Sequence, residues 1–596
     1  MSYVRKLKRQ RNLLMIAAFP FIPLALLMMF VKNRKKAARW KKMVAVFAGI
    51  HGRDPSIVEG FLNDYRKDLE DRLHQGEMAE VVNAARRVEP LIPRYEQKMS
   101  FNTPPFSSIN STRRIISLHQ LQEAVKRQRF DMVVACSAKT NKQDLAALLA
   151  AANRTGERLL VIDTSEKNYA PTDHPTLRLF DIAPYLERSE AKPRVFFEFI
   201  RSMHPKSVII ADSDLMWGVM KQHGRALAAS TEVSAFFSAN PDNLHTQKNF
   251  YRYFSILTSV LVRDEPARAE LVSRFLLTKE NAKRVTPVQD IDSRARGSRL
   301  KLGPTVGGTN EPVHHADPDM DISLIVTAHN ETIVTGPSMV AANLAAKAAE
   351  TAGYSVEKII ALDAATDDTR HCLTNDAYSD WNVMEIDERD LGRTRNRVVR
   401  RARGRYIAFL DADDIFSENW LVGGARILEE ADAAGEKVIA HPEINWVFDG
   451  ENGIVSVTPQ ECPIFAPSHF YFTNYYDSLC MTPRKAHLEI PYVSRDVPNG
   501  LSFQDYQFAI ETIAAGWLHR TAENTIIFKR RRDSSLVTES RNGQAVIRQI
   551  EPMAIDNITS FGRELVAASL PAKMEKDDVD VGTPEVAADP VDANVR

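Results

Sequence analysis

Residues 406–414 read YIAFLDADD. The apolar and aromatic run Tyr406 to Leu410 has the composition of a buried strand, and it ends directly in Asp411, Asp413 and Asp414. Carboxylates grouped so closely repel one another unless a cation neutralises them. Hard divalent ions such as Mg²⁺ or Mn²⁺ take carboxylate oxygens and bridge to phosphates. The cluster therefore reads first as part of a cation and phosphate site. A second role is open to Asp414, as a cap for a helix beginning near Ser417.

Toward the N-terminus the same arrangement recurs. Ile322 to Val326 ends in TAHNE (327–331), Val356 to Leu362 ends in DAATDDT (363–369), and Trp381 to Ile386 is followed by DERDLGRTRNRVVRRARG (387–404). A helical stretch, Pro337 to Thr351, separates the first two. This is a β-α-β-α-β-α-β order, which predicts an α/β fold with a parallel sheet and right-handed crossovers. Ligands of such sheets sit at the carboxyl ends of the strands, where each of these polar motifs falls. Asp363 there can accept from a base N–H or from ribose hydroxyls, or can form a turn. Asp367 and Asp368 read as caps of the next helix. Arg395 and Asn396 are expected to open a helix after Gly392, where an arginine at a helix N-terminus can hold phosphate. A solvated basic face is the other reading of that arginine-rich stretch.

Together DISLIVTAHNE (321–331), ALDAATDDT (361–369), DLGRTRNRVVRRARGRYIAFLDADD (390–414) and SFQDYQFAIETIAAGW (502–517) resemble the family 2 glycosyltransferases of GT-A fold. The resemblance implies a nucleotide-sugar donor and a glycan or lipid-linked acceptor. It implies that His329, Asn330 and Glu331 line the nucleotide pocket and that Asp363 contacts the base. Asp411 and Asp413 match the D-x-D signature that holds ribose and, through Mg²⁺ or Mn²⁺, the diphosphate. Asp505 falls at the catalytic base, and Trp517 falls near the acceptor. Arg530 to Arg532, in FKRRRDSSL (528–536), match a basic loop that closes over the diphosphate. A solvated or membrane-facing basic patch is the other reading of those arginines. The chain departs from the family pattern at Gln504, where Glu is usual, and at Ala364-Ala365, where Gly-Ser is usual. In-line attack on the sugar C1 with Asp505 accepting the hydroxyl proton would invert the anomeric centre.

The remaining chain divides around this domain, which is expected over 320–566. Residues 1–42 hold an apolar run, Leu13 to Val31, between two basic flanks. Without a small-residue cleavage site it reads as a membrane anchor. Pro20 and Pro23 leave open a spanning helix, a re-entrant hairpin with both ends in the cytoplasm, or a buried apolar helix. Residues 43–113 read as a polar helical connector, and 289–319, rich in Gly, Pro, Arg and Asp, as a linker. The acidic tail 567–596 has the composition of a disordered segment. Between them, 114–288 alternates strands (Phe130–Ala135, Arg158–Ile162, Ser207–Ile210) with helices (Gln143–Asn153, Pro193–Met203, Glu265–Phe275), a second Rossmann-like α/β domain. RVFFEFIRSMHPKSVIIADSD (194–214) and 259–288 resemble the N-terminal half of two-domain GT-B glycosyltransferases.

The chain's 596 residues exceed what one core serves. Lysine plus arginine and aspartate plus glutamate balance at 77 each, which argues against a nucleic-acid partner. The four cysteines lack C-x-x-C spacing, so a structural zinc site is not expected. The anchor would place the enzyme at a bacterial inner membrane, catalytic domains on the cytoplasmic side, in cell-surface polysaccharide synthesis. Two other functions stay open: a bifunctional two-site transferase, and a non-catalytic scaffold that binds glycan or partner proteins.

Overall fold

The computed structural model describes residues 37–96, 99–165, 175–178, 192–237, 244–293, 312–532 and 536–561. The apolar run Leu13 to Val31, most of the 289–319 linker and the tail 567–596 lie outside the described residues. Among those described, no helix is long and apolar enough to cross a membrane.

Ahead of the two sheets, helices Pro55–Gln75 and Glu77–Val88 lead to a short strand, β1 (Ser100–Asn102). A seven-stranded sheet follows, built from β2 (Met132–Cys136), β3 (Leu159–Asp163), β4 (Thr176–Arg178), β5 (Ser207–Ala211), β6 (Glu232–Phe237), β7 (Ser259–Val262) and β8 (Val285–Pro287). Its order is β4-β3-β2-β5-β6-β7-β8, every pair parallel. The apolar strands β2, β3 and β5 are buried at every residue, as a parallel sheet between two helix layers requires. The order reverses between β2 and β5, which is a doubly wound topology.

The second sheet is ten-stranded. Its strands are β1 again, β9 (Ile322–Ala328), β10 (Val356–Asp363), β11 (Asn382–Ile386), β12 (Tyr406–Asp411), β13 (Ile415–Phe416), β14 (Val438–Phe448), β15 (Gly453–Ser456), β16 (Met481–Pro483) and β17 (Leu518–Arg530). Strands β12, β9, β10 and β11 run parallel and side by side. Their register sets Asp411 opposite Thr327, Leu362 opposite Ala328, and Asp363 opposite Ile386. All four polar motifs thus leave the sheet at one edge. This is the mixed α/β architecture that the motif order predicts, with the GT-A-type domain that the resemblance implies.

The connector is more than a tether. β1 adds a parallel edge strand to β15. Leu69, Leu73, Met78 and Val82 of the two connector helices cover Trp446, Phe448, Ile526 and Phe528. Arg72 pairs with the buried Glu443 at 2.5 Å. The long β14–β17 pair would otherwise expose those rings, so helices that read as polar in sequence are held by one apolar stripe.

The two sheets share a core. Phe196 and Phe199 from the seven-stranded unit belong to one apolar cluster with Tyr471, Tyr506, Ile547 and Ile555. Residues beyond β17 tie the units together: Ile555 N donates to Ser202 O at 2.7 Å, and Val546 bridges to Leu501.

Gly404 precedes β12 where two backbones nearly touch. A Cβ there would lie 2.4 Å from Ser323 N and 2.7 Å from the Ile322 carbonyl carbon. Both neighbours are main chain of the central strand and cannot rotate away. Gly404→Ala is expected to destabilise by about 3 kcal/mol, the upper end for overpacking. A urea denaturation midpoint equal to wild type would refute that.

Candidate active site

The edge where β9, β10, β11 and β12 end gathers the charged residues. Asp411 closes β12, and its Oδ1 accepts from Thr327 Oγ1 at 2.9 Å and from Arg395 Nη2 at 2.5 Å. Asp413 Oδ2 pairs with Arg532 Nε at 2.7 Å. The same Arg532 reaches Glu331 Oε1 at 3.2 Å, so the loops after β9, β12 and β17 meet on one guanidinium. His329 and Asn330 are exposed at the rim, and Glu331 turns inward, accepting from His329 N at 2.6 Å. Burial raises Glu331 and Asp413 above the ordinary carboxylate range; Asp411 adds to the rise of Asp413, and Arg532 opposes it.

Lys529, which the motif reading passed over, lies at the centre. Its Nζ is 2.7 Å from Asp414, 3.1 Å from Asp477 and 3.9 Å from Asp411. Burial would lower the amine, but Asp414, Asp477 and Asp411 together lift it above the ordinary lysine value, so it stays charged. Burial raises Asp477 too, yet Lys529 and the Leu479 N–H pull it below its ordinary value. A strand alternation would have found Lys529: successive residues face opposite sides, so Lys529 and Arg530 cannot both face the same cleft. Asp477 carried a signal as well, a lone charge between Tyr475, Tyr476 and Leu479 that burial obliges to find a partner.

Asp505 stands in the first turn of the helix Gln504–Ala514. No hydrogen bond or ion pair joins its carboxylate to another side chain among the described residues. Burial, with Asp477 adding to it, pushes the carboxyl up to about 6, against the pull of Arg395 and Lys529. It is thus a half-buried, unpaired carboxylate poised to accept a proton near neutral pH.

Several expectations are corrected by the geometry. Arg395 and Asn396 do not open their helix; it begins at Leu391, capped by Asp390, whose side chain accepts from Arg393 N at 3.0 Å. That start turns both residues inward. Arg395 is 0% exposed, lies over the Phe409 ring and is spent on Asp411. The Asn396 carboxamide donates to Tyr492 O at 2.8 Å and accepts from Tyr492 N at 2.9 Å, which commits its oxygen and one of its two N–H donors to that backbone. Asp363 is committed too: Oδ1 accepts from Glu388 N and Arg389 N, and Oδ2 from Thr394 Oγ1. It holds the loop after β11 rather than presenting itself to a base. Arg530 points away from the cleft to Glu89 and Asp449. Trp517 is buried beside the start of β17, and Lys529 lies at that strand's far end, roughly 35–40 Å along an extended chain. It is core, not acceptor site. Asp414 caps nothing; it accepts from Arg530 N at 2.9 Å, and the next helix starts at Trp420 without a side-chain cap. Thr366, rather than Asp367 or Asp368, caps the helix after β10.

The donor set fits a hard divalent cation of the Mg²⁺ or Mn²⁺ kind. Six carboxylates (Glu331, Asp411, Asp413, Asp414, Asp477, Asp505) face three cations, Arg395, Lys529 and Arg532. Among the described residues no three His, Cys, Asp or Glu side chains group closely enough to hold a metal alone. Asp411 and Asp413 would supply two ligands, and a donor diphosphate and water the others, the usual habit of Mg²⁺.

Comparison with known proteins gives one family match. Residues 323–453 match the model described as glycosyl transferase family 2, a stretch that ends before Asp477, Asp505 and Lys529. No curated protein sequence matches the chain. Solved structures that align with it include S. aureus TarS 1–349 in complex with UDP-GlcNAc, at 16% identity, 36% of this chain, 60% of that chain and a TM-score of 0.27. The mannosyltransferase PcManGT from Pyrobaculum calidifontis, in complex with GDP-Man and Mn²⁺, aligns at 13% identity over 44% of this chain and 77% of that one, with a TM-score of 0.28. GalNAc-T7 with UDP, GalNAc and Mn²⁺ aligns at 14% identity over 36% and 45%, with a TM-score of 0.27. The chain thus spans about 60% of the length of the TarS fragment. The matched stretch takes in β10 to β12, nearly all of β9 and their polar edge, so the likeness to glycosyl transferase family 2 falls on residues 323–453 of this chain.

Proposed function

We propose that the protein is an inverting glycosyltransferase that moves a sugar from a nucleotide-sugar donor onto a hydroxyl of a glycan or lipid-linked acceptor. The observation that carries this reading is the convergence of Asp411 and Asp413 with an unpaired Asp505 around one buried lysine. Mg²⁺ or Mn²⁺, held by Asp411 and Asp413, would offset charge growing on the leaving diphosphate. Thr327 and Arg395 fix the orientation of Asp411. Arg532, free to exchange Asp413 for phosphate oxygens, supplies a planar donor fork on the same side. Asp505 accepts the acceptor proton, and a single displacement with one base inverts the anomeric carbon. His329 and Asn330 lie at the rim where a nucleotide would enter.

Membrane association rests on the basic-flanked apolar run Leu13 to Val31. An enzyme so anchored, with its catalytic domains on the cytoplasmic side of a bacterial inner membrane, suits cell-surface polysaccharide synthesis. A non-catalytic scaffold is the second reading, favoured by the arginines already seated on Asp411 and Asp413.

The test is release of nucleoside diphosphate from a panel of nucleotide-sugars, with Mn²⁺ or Mg²⁺ and with chelator. We expect release from one donor, abolished by chelator and by Asp413→Ala. No release and no donor binding across the panel would leave the scaffold reading standing.

A further inference from the structure

A cavity unrelated to the carboxylate edge lies where the helix Lys192–Ser202 of the seven-stranded unit meets the segment after β17. It has about 20 Å³ of room for the centre of a water-sized body, and its walls include Glu198, Arg201, His204, Tyr471, Arg548 and Gln549. Arg201 comes from the helix Lys192–Ser202 of the seven-stranded unit, and Arg548 from the segment after β17. Both are more than nine-tenths buried, at 6% and 8% exposure. Each spends one nitrogen on a carbonyl: Arg201 Nη2 on Ile547 O at 2.9 Å, Arg548 Nη2 on Ser494 O at 3.2 Å. The Nε and Nη1 of both guanidiniums have no hydrogen-bond partner among the described residues.

The local charge is not balanced. Glu198 is the one carboxylate in the cavity wall, and it already pairs with Arg194 at 2.8 Å while standing 3.6 Å from Arg201 Nη1. Asp390 and Asp496 attract Arg548 only at longer range, and burial lowers both Arg201 and Arg548 against their ordinary values. Leaving buried N–H groups of a charged fork unpaired is costly, and interiors keep such groups only with a partner. The partner missing here must be an acceptor, small, and anionic. Two guanidiniums converging from different units suit a tetrahedral oxyanion, whose several oxygens can accept from the free N–H donors of both.

We propose that this cavity is an anion site that takes a small inorganic oxyanion of the phosphate class between Arg201 and Arg548. The site joins the two units, because each contributes one arginine. It is also close to the catalytic helix: Tyr506, next to Asp505, donates to Phe470 O, and Ser502 N donates to Val546 O at 2.9 Å.

Thermal unfolding of the full chain, titrated with inorganic phosphate at constant ionic strength, tests this. The diphosphate edge could also take phosphate, so Arg532→Met serves as the variant of that edge. A saturable rise in Tm is expected for wild type and for Arg532→Met, and none for Arg548→Met. Should Arg548→Met fail to fold by circular dichroism, Arg548→Lys replaces it; keeping the charge but losing the fork, it should need at least tenfold more phosphate. The proposal is overturned if wild type shows no saturable rise, as a water-filled cavity would give. It is equally overturned if the rise survives in the Arg548 variant or disappears in Arg532→Met.

Discussion

Asp505→Asn is expected to lower sugar transfer roughly a hundredfold to ten-thousandfold, the usual worth of a positioned general base. Donor affinity should change little, because the amide occupies the same volume and Asp505 holds no side chain in place. A drop in kcat and in kcat/KM together, with KM for the donor kept, marks an interaction made only in the transition state. The pH profile adds an independent check. The base works ionised, and burial beside Asp477 pushes its carboxyl up to about 6. The wild-type rate should therefore rise about tenfold per unit up to that region and level off above it. Were Asp505 an ordinary exposed carboxylate, the rise would be finished by about pH 5. An Asp505→Asn enzyme with wild-type kcat, or a wild-type profile flat from pH 5 to 8, would remove Asp505 from the mechanism.

The parallel core was legible because its strands carry their own punctuation. Ile322 to Val326, Val356 to Leu362 and Tyr406 to Leu410 are apolar runs that stop at a polar motif, and the observed strands extend each by only a residue or two. The alternation of 130–275 was readable for the same reason. What the sequence withheld was direction. Asp363, Asn396 and Arg530 are polar residues at the right edge, and any of them could face either a ligand or a backbone. Whether a carboxylate is free depends on which N–H groups the next loop brings to it, and in Asp363 the Glu388 and Arg389 amides come from a loop some 25 residues on. The family pattern fixed attention on the arginines of 530–532 and away from Lys529, although strand alternation separates them. Trp517 misled because it follows the Asp505 helix closely in sequence while β17 carries the chain back to the site only at its other end. The connector's part in the fold was hidden because an edge strand as short as Ser100–Asn102 has no periodicity to read.

Lys529→Met carries the largest expected effect on stability. Removing one partner of a buried charge group leaves the others uncompensated, at a cost of roughly 3–5 kcal/mol. Here Asp477 loses its cation, while Asp411 keeps Arg395 and burial already pushes the Asp414 carboxyl up to about 8, so the middle of that range applies. Methionine fills nearly the same volume, which keeps the loss from being a packing effect. The pH dependence separates the two causes. In the wild type Lys529 holds Asp477 below its ordinary value of 3.8, so Asp477 contributes stability at neutral pH that is lost only as pH falls through its depressed folded value. Without Lys529 burial dominates, and the folded-state value rises above the unfolded one. The variant's Asp477 then contributes stability below the unfolded value and loses it as pH rises. The deficit relative to wild type should accordingly be small near pH 4 and grow toward pH 7 in urea unfolding. Lys529→Met with Asp477→Asn should recover part of the loss, since the amide removes one stranded charge. A pH-independent deficit, or no recovery in the double variant, would mean that Lys529 acts through its hydrocarbon stem and not as the cation at the centre of the site.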